Sequence, residues 1–345
     1  MLKNKRQVKK CKRFKRTFLE FVYFLVNCVY NMVKGQGELW VMKSTETYTS
    51  TTATHVKFDI YLPTVMIRYK AIVQIHHALS EHSGRYQRFA EYLAHEGFVV
   101  IVSDFPGHGT SLYNFEQGYF GVGDATETLV SDMQRLRNIM AARYPDLPYF
   151  IIGNQFGSLV LRQYLARYGD FVQGAIIMGT CGKRHFNNLA RLFVFGDSLV
   201  KGKMHRSRTI QRNLINRIVS KNRDSFYITD DKREMQQYLD DPFTNFIYTN
   251  NAYQQFFELI KDVSNQENIK KIPDYVSVLI LSGKKDPFGN FGMGPKWLYD
   301  HLKAQGQKDL EIKIYNDSHG DILHDSQRLE VYQDILDWLN ARTFV

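Results

Sequence analysis

The chain has 345 residues, 44% hydrophobic and 14% aromatic, ample for one large core or two smaller units. Its three cysteines, Cys11, Cys28 and Cys181, are too few and too scattered for a disulfide framework or a zinc site, so a reducing, cytoplasmic setting is expected. The net charge of +10 is local: residues 1–16 hold nine Lys/Arg and no acid, and residues 183–223 hold eleven against the single Asp197. Such basic zones suit membrane headgroups or nucleic acid, or are merely solvated. No RNP-like, zinc-finger or homeodomain-like pattern accompanies them, so an anionic membrane surface is the expected partner and nucleic acid is not.

In chain order, the first basic run is followed by T-F-L-E-F-V-Y-F-L-V-N-C-V-Y-N-M-V, with Thr17, Glu20, Asn27, Asn31 and Lys34 on one narrow helical stripe. Sixteen residues from Phe18 to Val33 make about 24 Å of helix against a hydrocarbon core of about 30 Å. No small-x-small cleavage site follows, and an interfacial amphipathic helix is expected, holding the protein peripherally at the membrane through residues 1–34. A helix docked on the protein's own body and a short signal-anchor are the alternatives.

From about residue 55 short apolar strands alternate with helices. V-K-F-D-I-Y-L, A-I-V-Q-I-H and G-F-V-V-I-V-S-D read as strands, and Arg85 to His95 and Glu127 to Tyr144 as helices. P-Y-F-I-I-G, a helix from Ser158 to Tyr168 and the strand G-A-I-I-M-G-T follow. Periodicity breaks over 183–267. It resumes with V-S-V-L-I-L-S-G, a helix from Pro295 to Gln305, the strand L-E-I-K-I-Y and a closing helix from Gln327 to Ala341. The expected architecture is α/β, a mostly parallel sheet with helices on both faces and an inserted, basic helical lid. Its segments are 1–40 (basic N-terminal segment), 41–182 (first core part), 183–267 (lid) and 268–345 (second core part).

Between a strand and a helix stands I-I-G-N-Q-F-G-S-L-V, residues 151–160, the frame of a nucleophile elbow. Glycines at 153 and 157 permit the tight turn, but the apex, where serine belongs, is Gln155, and an amide is no nucleophile. Ordered motifs surround it: H-A-L-S-E-H-S-G-R-Y (77–86), S-D-F-P-G-H-G-T-S (103–111), D-D-P-F (240–243), L-S-G-K-K-D-P-F-G-N (281–290) and N-D-S-H-G-D-I-L (316–323). Together they resemble the monoacylglycerol lipase and lysophospholipase-like, serine aminopeptidase-like branch of the α/β-hydrolases over roughly residues 50–342.

The resemblance implies Asp286 as triad acid, His319 as general base and the amides of Leu79 and Phe156 as the oxyanion hole. It also implies a lipid-like small-molecule ligand and no cofactor or metal. Three departures cluster at the chemistry: Gln155 for the serine, Asn154 for a histidine and Ala78 for a glycine. The expectation is a pseudo-hydrolase. The alternative is an active carboxylic-ester hydrolase in which a water or Cys181 works with Asp286 and His319; Ser158, inside the helix, points away. The lid aromatics Phe186, Phe193, Phe195, Phe243, Phe246 and Tyr248 line an acyl tunnel or form the lid's own small core.

Overall fold

The computed structural model describes residues 41–64, 68–114, 116–121, 123–183, 187–219 and 228–343. The expected N-terminal helix and Phe186 lie outside these residues. Eight strands form one sheet: β1 (Val41–Thr49), β2 (His55–Pro63), β3 (Ile72–His76), β4 (Val99–Ser103), β5 (Tyr149–Asn154), β6 (Gly174–Met178), β7 (Ser277–Gly283) and β8 (Leu310–Tyr315). Their spatial order is β1-β2-β4-β3-β5-β6-β7-β8. β2 runs antiparallel to β1 and β4, and every other pairing is parallel.

The central strands are continuous apolar runs because helices cover both faces. Every residue of I-V-Q-I-H, V-V-I-V-S and G-A-I-I-M is buried. On one face lie α1 (Gln87–His95) and, from the chain's end, Arg328–Asn340, packed on Val73, Val100, Ile152 and Ile176. On the other lie α2 (Ala125–Arg143) and α3 (Phe156–Tyr168), packed on Ile72, Ile101, Ile151 and Ile177. The helix expected from Glu127 begins two residues earlier because Asp124 caps it, accepting from the Glu127 amide at 3.2 Å. β1 was not legible in the sequence: V-M-K-S-T-E-T-Y-T is an edge strand that is mostly exposed, so no apolar alternation marks it.

The regular elements among the described residues between β6 and β7 are all helices. They include α4 (Asn187–Lys201), short helical turns through 208–219, α5 (Lys232–Asp240) and α6 (Asn250–Val263). After β7 comes α7 (Met293–Ala304), and the helix Arg328–Asn340 is α8. No helix among the described residues is long and apolar enough to cross a membrane.

Candidate active site

β5 ends at Asn154 and α3 begins at Phe156, so Gln155 alone makes the turn, with φ 43° and ψ −103°. Its amide donates to the Met178 carbonyl (2.9 Å), and its own carbonyl accepts from the Ser158 amide (3.0 Å) and Ser158 Oγ (2.5 Å). The elbow's glycines are there for space. A Cβ on Gly153 would lie 2.5 Å from the Gly157 carbonyl oxygen, and one on Gly157 would lie 2.6 Å from that of His76.

A non-glycine residue in such a conformation costs about 1–3 kcal/mol. Glycine adopts this mirror image of extended backbone freely, while losing about 0.5–1 kcal/mol through its unfolded-state freedom. Gln155→Gly should therefore be more stable than Gln155→Ala by about 1 kcal/mol, the reverse of the usual order. Urea unfolding of both variants checks this, and an alanine variant at least as stable would mean the turn stores no strain.

Asp286, in the loop after β7, is fully buried and accepts from the amides of Phe288 (2.8 Å) and Gly289 (3.0 Å). Gln155 reaches toward it. A Cβ on Gly320 would lie 2.5 Å from Gln155 Nε2 and 2.9 Å from Asp286 Oδ1. One on Gly179 would lie 3.2 Å from Gln155 Cγ and 3.5 Å from Asp286 Oδ2. The apex side chain and the acid are thus brought together between two glycines.

His319 is turned elsewhere: its Nδ1, the atom a triad directs at its acid, lies 3.4 Å from Asp230 Oδ2 and 3.5 Å from Asp325 Oδ2. Its amide also donates to Asp325 at 2.7 Å. Asp230, His319 and Asp325 present ligand atoms within 4.8 Å of one another. The Lys285 ammonium already lies 3.4 Å from the same Asp230 oxygen, so the positive charge there is the protein's own, and no metal is assigned.

The loop expected to supply the oxyanion donors is tied down in detail. His77 Nε2 accepts from the Phe105 amide (3.0 Å), which leaves the proton on Nδ1 for the Ala78 carbonyl (2.8 Å). Burial lowers the His77 pKa, in keeping with that neutral form, although Asp104 and Glu81 oppose the shift. The Ala78 amide donates to Glu81 Oε1 (2.7 Å), which also takes the Tyr86 hydroxyl, while Asn154 Nδ2 donates to Tyr86 at 2.9 Å. Asn154 thereby joins the elbow to this loop. On the far side, Ser80, with φ 55°, donates its amide to Tyr248 (2.7 Å), whose hydroxyl meets His108 Nε2 at 2.6 Å.

Leu79 borders the space over Gln155, and Phe156 is the first residue of α3, where amides lack intrahelical acceptors. That space, bounded by Ala78, Leu79, Glu81, Gln155, Val219, Ile228, Tyr238 and Asp321, is about 10 Å³, room for one water.

Neither stand-in nucleophile is presented for reaction. Ser158 Oγ is committed to the Gln155 carbonyl, and Cys181 is fully buried. The aromatics expected to belong to a lid divide. Phe246 and Tyr248 pack on His108, with ring centroids at 5.4 and 5.5 Å, whereas Phe193 and Phe195 are about half exposed on α4. The latter pair lie outside the buried core, and Phe195 borders an open surface cavity with Arg191 and Leu192.

Sequence reasoning did not find the buried Glu81–Arg85–Asp321 cluster or the significance of Gly320. Both were written in motifs already quoted, E-H-S-G-R-Y and H-G-D-I-L, where only side-chain direction tells a structural residue from a reactive one.

The strand order, the elbow between β5 and α3, and an acid loop after β7 define an α/β-hydrolase. More particularly, the chain belongs to the serine aminopeptidase S33 family, which it matches over residues 68–327. It is 21% identical over 297 residues to a monoacylglycerol lipase of Mycolicibacterium smegmatis, spanning 86% of this chain and 97% of that one. It is 23% identical over 274 residues to the monoglyceride lipase of Rattus norvegicus, spanning 79% and 82%. A thermostable carboxyl esterase from Bacillus coagulans has the same fold, with TM-score 0.80 and 25% identity over 87% of this chain and 99% of that one. A soluble variant of monoglyceride lipase from Saccharomyces cerevisiae, solved with a substrate analog, follows with TM-score 0.68 and 16% identity over 90% and 98%.

Proposed function

We propose that this protein is a pseudo-hydrolase that keeps an esterase scaffold to bind a lipid-like ligand at a membrane surface. The observation that carries the reading is Gln155 itself, a carboxamide at the apex of an otherwise preserved elbow, packed beside the acid Asp286. Covalent catalysis needs a nucleophilic side chain there, such as a hydroxyl, thiol or carboxylate, and a carboxamide is not one. The lipase relatives support the choice of ligand class. An acyl chain entering above Gln155 has to displace Val219 and Ile228, which bound the present space.

The membrane part rests on α4. That helix buries Asn187, Ala190, Val194 and Ser198 and exposes Leu189, Leu192, Leu199 and Val200, the reverse of an ordinary surface helix. It lies within the basic stretch 183–223, so apolar side chains and positive charge share one region. The expected peripheral attachment through residues 1–34 belongs to the same proposal.

The purified protein should hydrolyse neither a short-chain ester, a monoacylglycerol nor a lysophospholipid above buffer, and should resist covalent labelling by a fluorophosphonate. It should float with vesicles containing phosphatidylserine. Turnover by wild type that survives repeated purification would overturn the pseudo-hydrolase reading, and sedimentation away from the vesicles the membrane part.

A further inference from the structure

Residues 318–320 cross the end of β7 so closely that a Cβ on Gly283 would lie 2.0 Å from the His319 carbonyl oxygen and 2.3 Å from that of Ser318. The crossing is therefore fixed by backbone packing, and it sends consecutive positions in different directions. His319 presents Nδ1 to Asp230 and Asp325. Position 320 faces the opposite group of residues, with its Cβ direction ending between Asp286 Oδ1 and Gln155 Nε2. Gly320 is not among the glycines with positive φ, so its backbone accepts an L side chain.

A general base in acyl transfer has to meet two partners at once. One ring nitrogen faces the acid that orients it, and the other faces the nucleophile whose proton it takes. A side chain starting at 320 points at both of those positions.

We infer that Gly320, not His319, is the seat of the general base in this scaffold, and that the Gln155 amide fills the space an imidazole would occupy beside Asp286. The inference rests on the pseudo-hydrolase reading and deepens it: two of the three reacting groups are replaced, and the replacements fit each other. Glycine at 320 leaves room for the longer side chain at 155, since a Cβ there would collide with the amide nitrogen at 2.5 Å. Asp286 has a structural reason to persist, because it closes its own turn by accepting the Phe288 and Gly289 amides.

The test restores both groups in the full chain. Wild type, Gln155→Ser, Gly320→His and the double variant, each with and without His319→Ala, are assayed on 4-nitrophenyl butyrate. In the double variant the new hydroxyl adds to the ester carbonyl, its proton passes to the imidazole and on to the departing 4-nitrophenolate, and water then releases butyrate by the same route. The double variant should turn over at least 100-fold faster than Gln155→Ser alone, and His319→Ala should change it less than twofold.

Activity in Gln155→Ser that His319→Ala abolishes would overturn the inference and leave the pseudo-hydrolase reading standing. Activity in wild type would overturn that reading instead, and the inference is then decided by a readout independent of turnover. The imidazole introduced by Gly320→His in the Gln155→Ser background, where the clashing amide is gone, is titrated by NMR with and without Asp286→Asn. A midpoint that drops by a unit or more when the Asp286 charge is removed supports the assignment, and one that ignores it overturns the assignment. Should the double variant not fold, Gln155→Ser is assayed with free imidazole, where a saturable rise in rate supports the inference and its absence overturns it.

Discussion

Replacing Arg85 by methionine is expected to cost about 3–5 kcal/mol and to loosen the loop that borders the space over Gln155. The guanidinium sits 7% exposed between two carboxylates, with Nε 2.9 Å from Glu81 Oε2 and the terminal nitrogen paired with Asp321. It also lies over the Tyr238 ring, 4.8 Å from its centroid. Burial alone would lower its pKa, but Asp321 and Glu81 outweigh that and hold it above the ordinary value. For Asp321 burial would raise the pKa, and His324 and Arg85 together hold it below the usual carboxylate range.

Removing the cation leaves two carboxylates buried together, which is why the cost exceeds that of any exposed pair in this protein. Glu81 is the same group that takes the Ala78 amide and the Tyr86 hydroxyl, so its displacement is felt at the elbow through Asn154. Asp321→Ala should cost less than Arg85→Met, because Glu81 still accompanies the cation. The depressed Asp321 pKa gives stability that is present above the unfolded carboxylate value and lost as pH falls through the folded one. Urea unfolding at neutral pH tests the pair, and a loss below about 1 kcal/mol for Arg85→Met would show that the cluster is solvated rather than sealed.

Much of this architecture was legible in the sequence because the signals were local. Strands such as V-V-I-V and A-I-I-M are buried on both sides and have to be apolar throughout, so composition alone marks them. The elbow was legible because Gly153 and Gly157 are forced by contacts of 2.5 and 2.6 Å that no Cβ survives. What stayed hidden depends on direction rather than identity. His319 and Gly320 are neighbours, and nothing in S-H-G-D says which of them looks at Asp286. Likewise α4 has an ordinary mixture of leucine, phenylalanine and polar residues, and only its packing shows that the apolar side faces out. β1 escaped for the converse reason, since an edge strand with one wet face need not alternate cleanly.

A second large effect is expected at Asp132, on α2, the helix that precedes β5 in the chain. Its carboxyl is buried, with Ser50 Oγ donating to Oδ2 at 2.6 Å. Burial raises its pKa from 3.8 to about 6, despite the opposing influence of the Ser50 hydroxyl and Arg135. The raised value means the folded state favours the protonated form. This carboxyl therefore contributes most below its unfolded pKa near 3.8, loses that contribution as pH rises toward 6, and is a constant penalty above it.

At about 1.36 kcal/mol for each pH unit of difference, the penalty at pH 8 is about 3 kcal/mol. An asparagine side chain is a neutral isostere with no proton to lose, so Asp132→Asn should gain stability relative to wild type by about 2–3 kcal/mol between pH 4 and pH 8. Taking the difference between the two proteins at each pH cancels every other titrating group they share, which makes the sign the decisive quantity. Urea unfolding at the two pH values measures it. A variant that instead loses ground as pH rises would place the Asp132 charge in a stabilising contact, with the Arg135 guanidinium, rather than burial, governing the site.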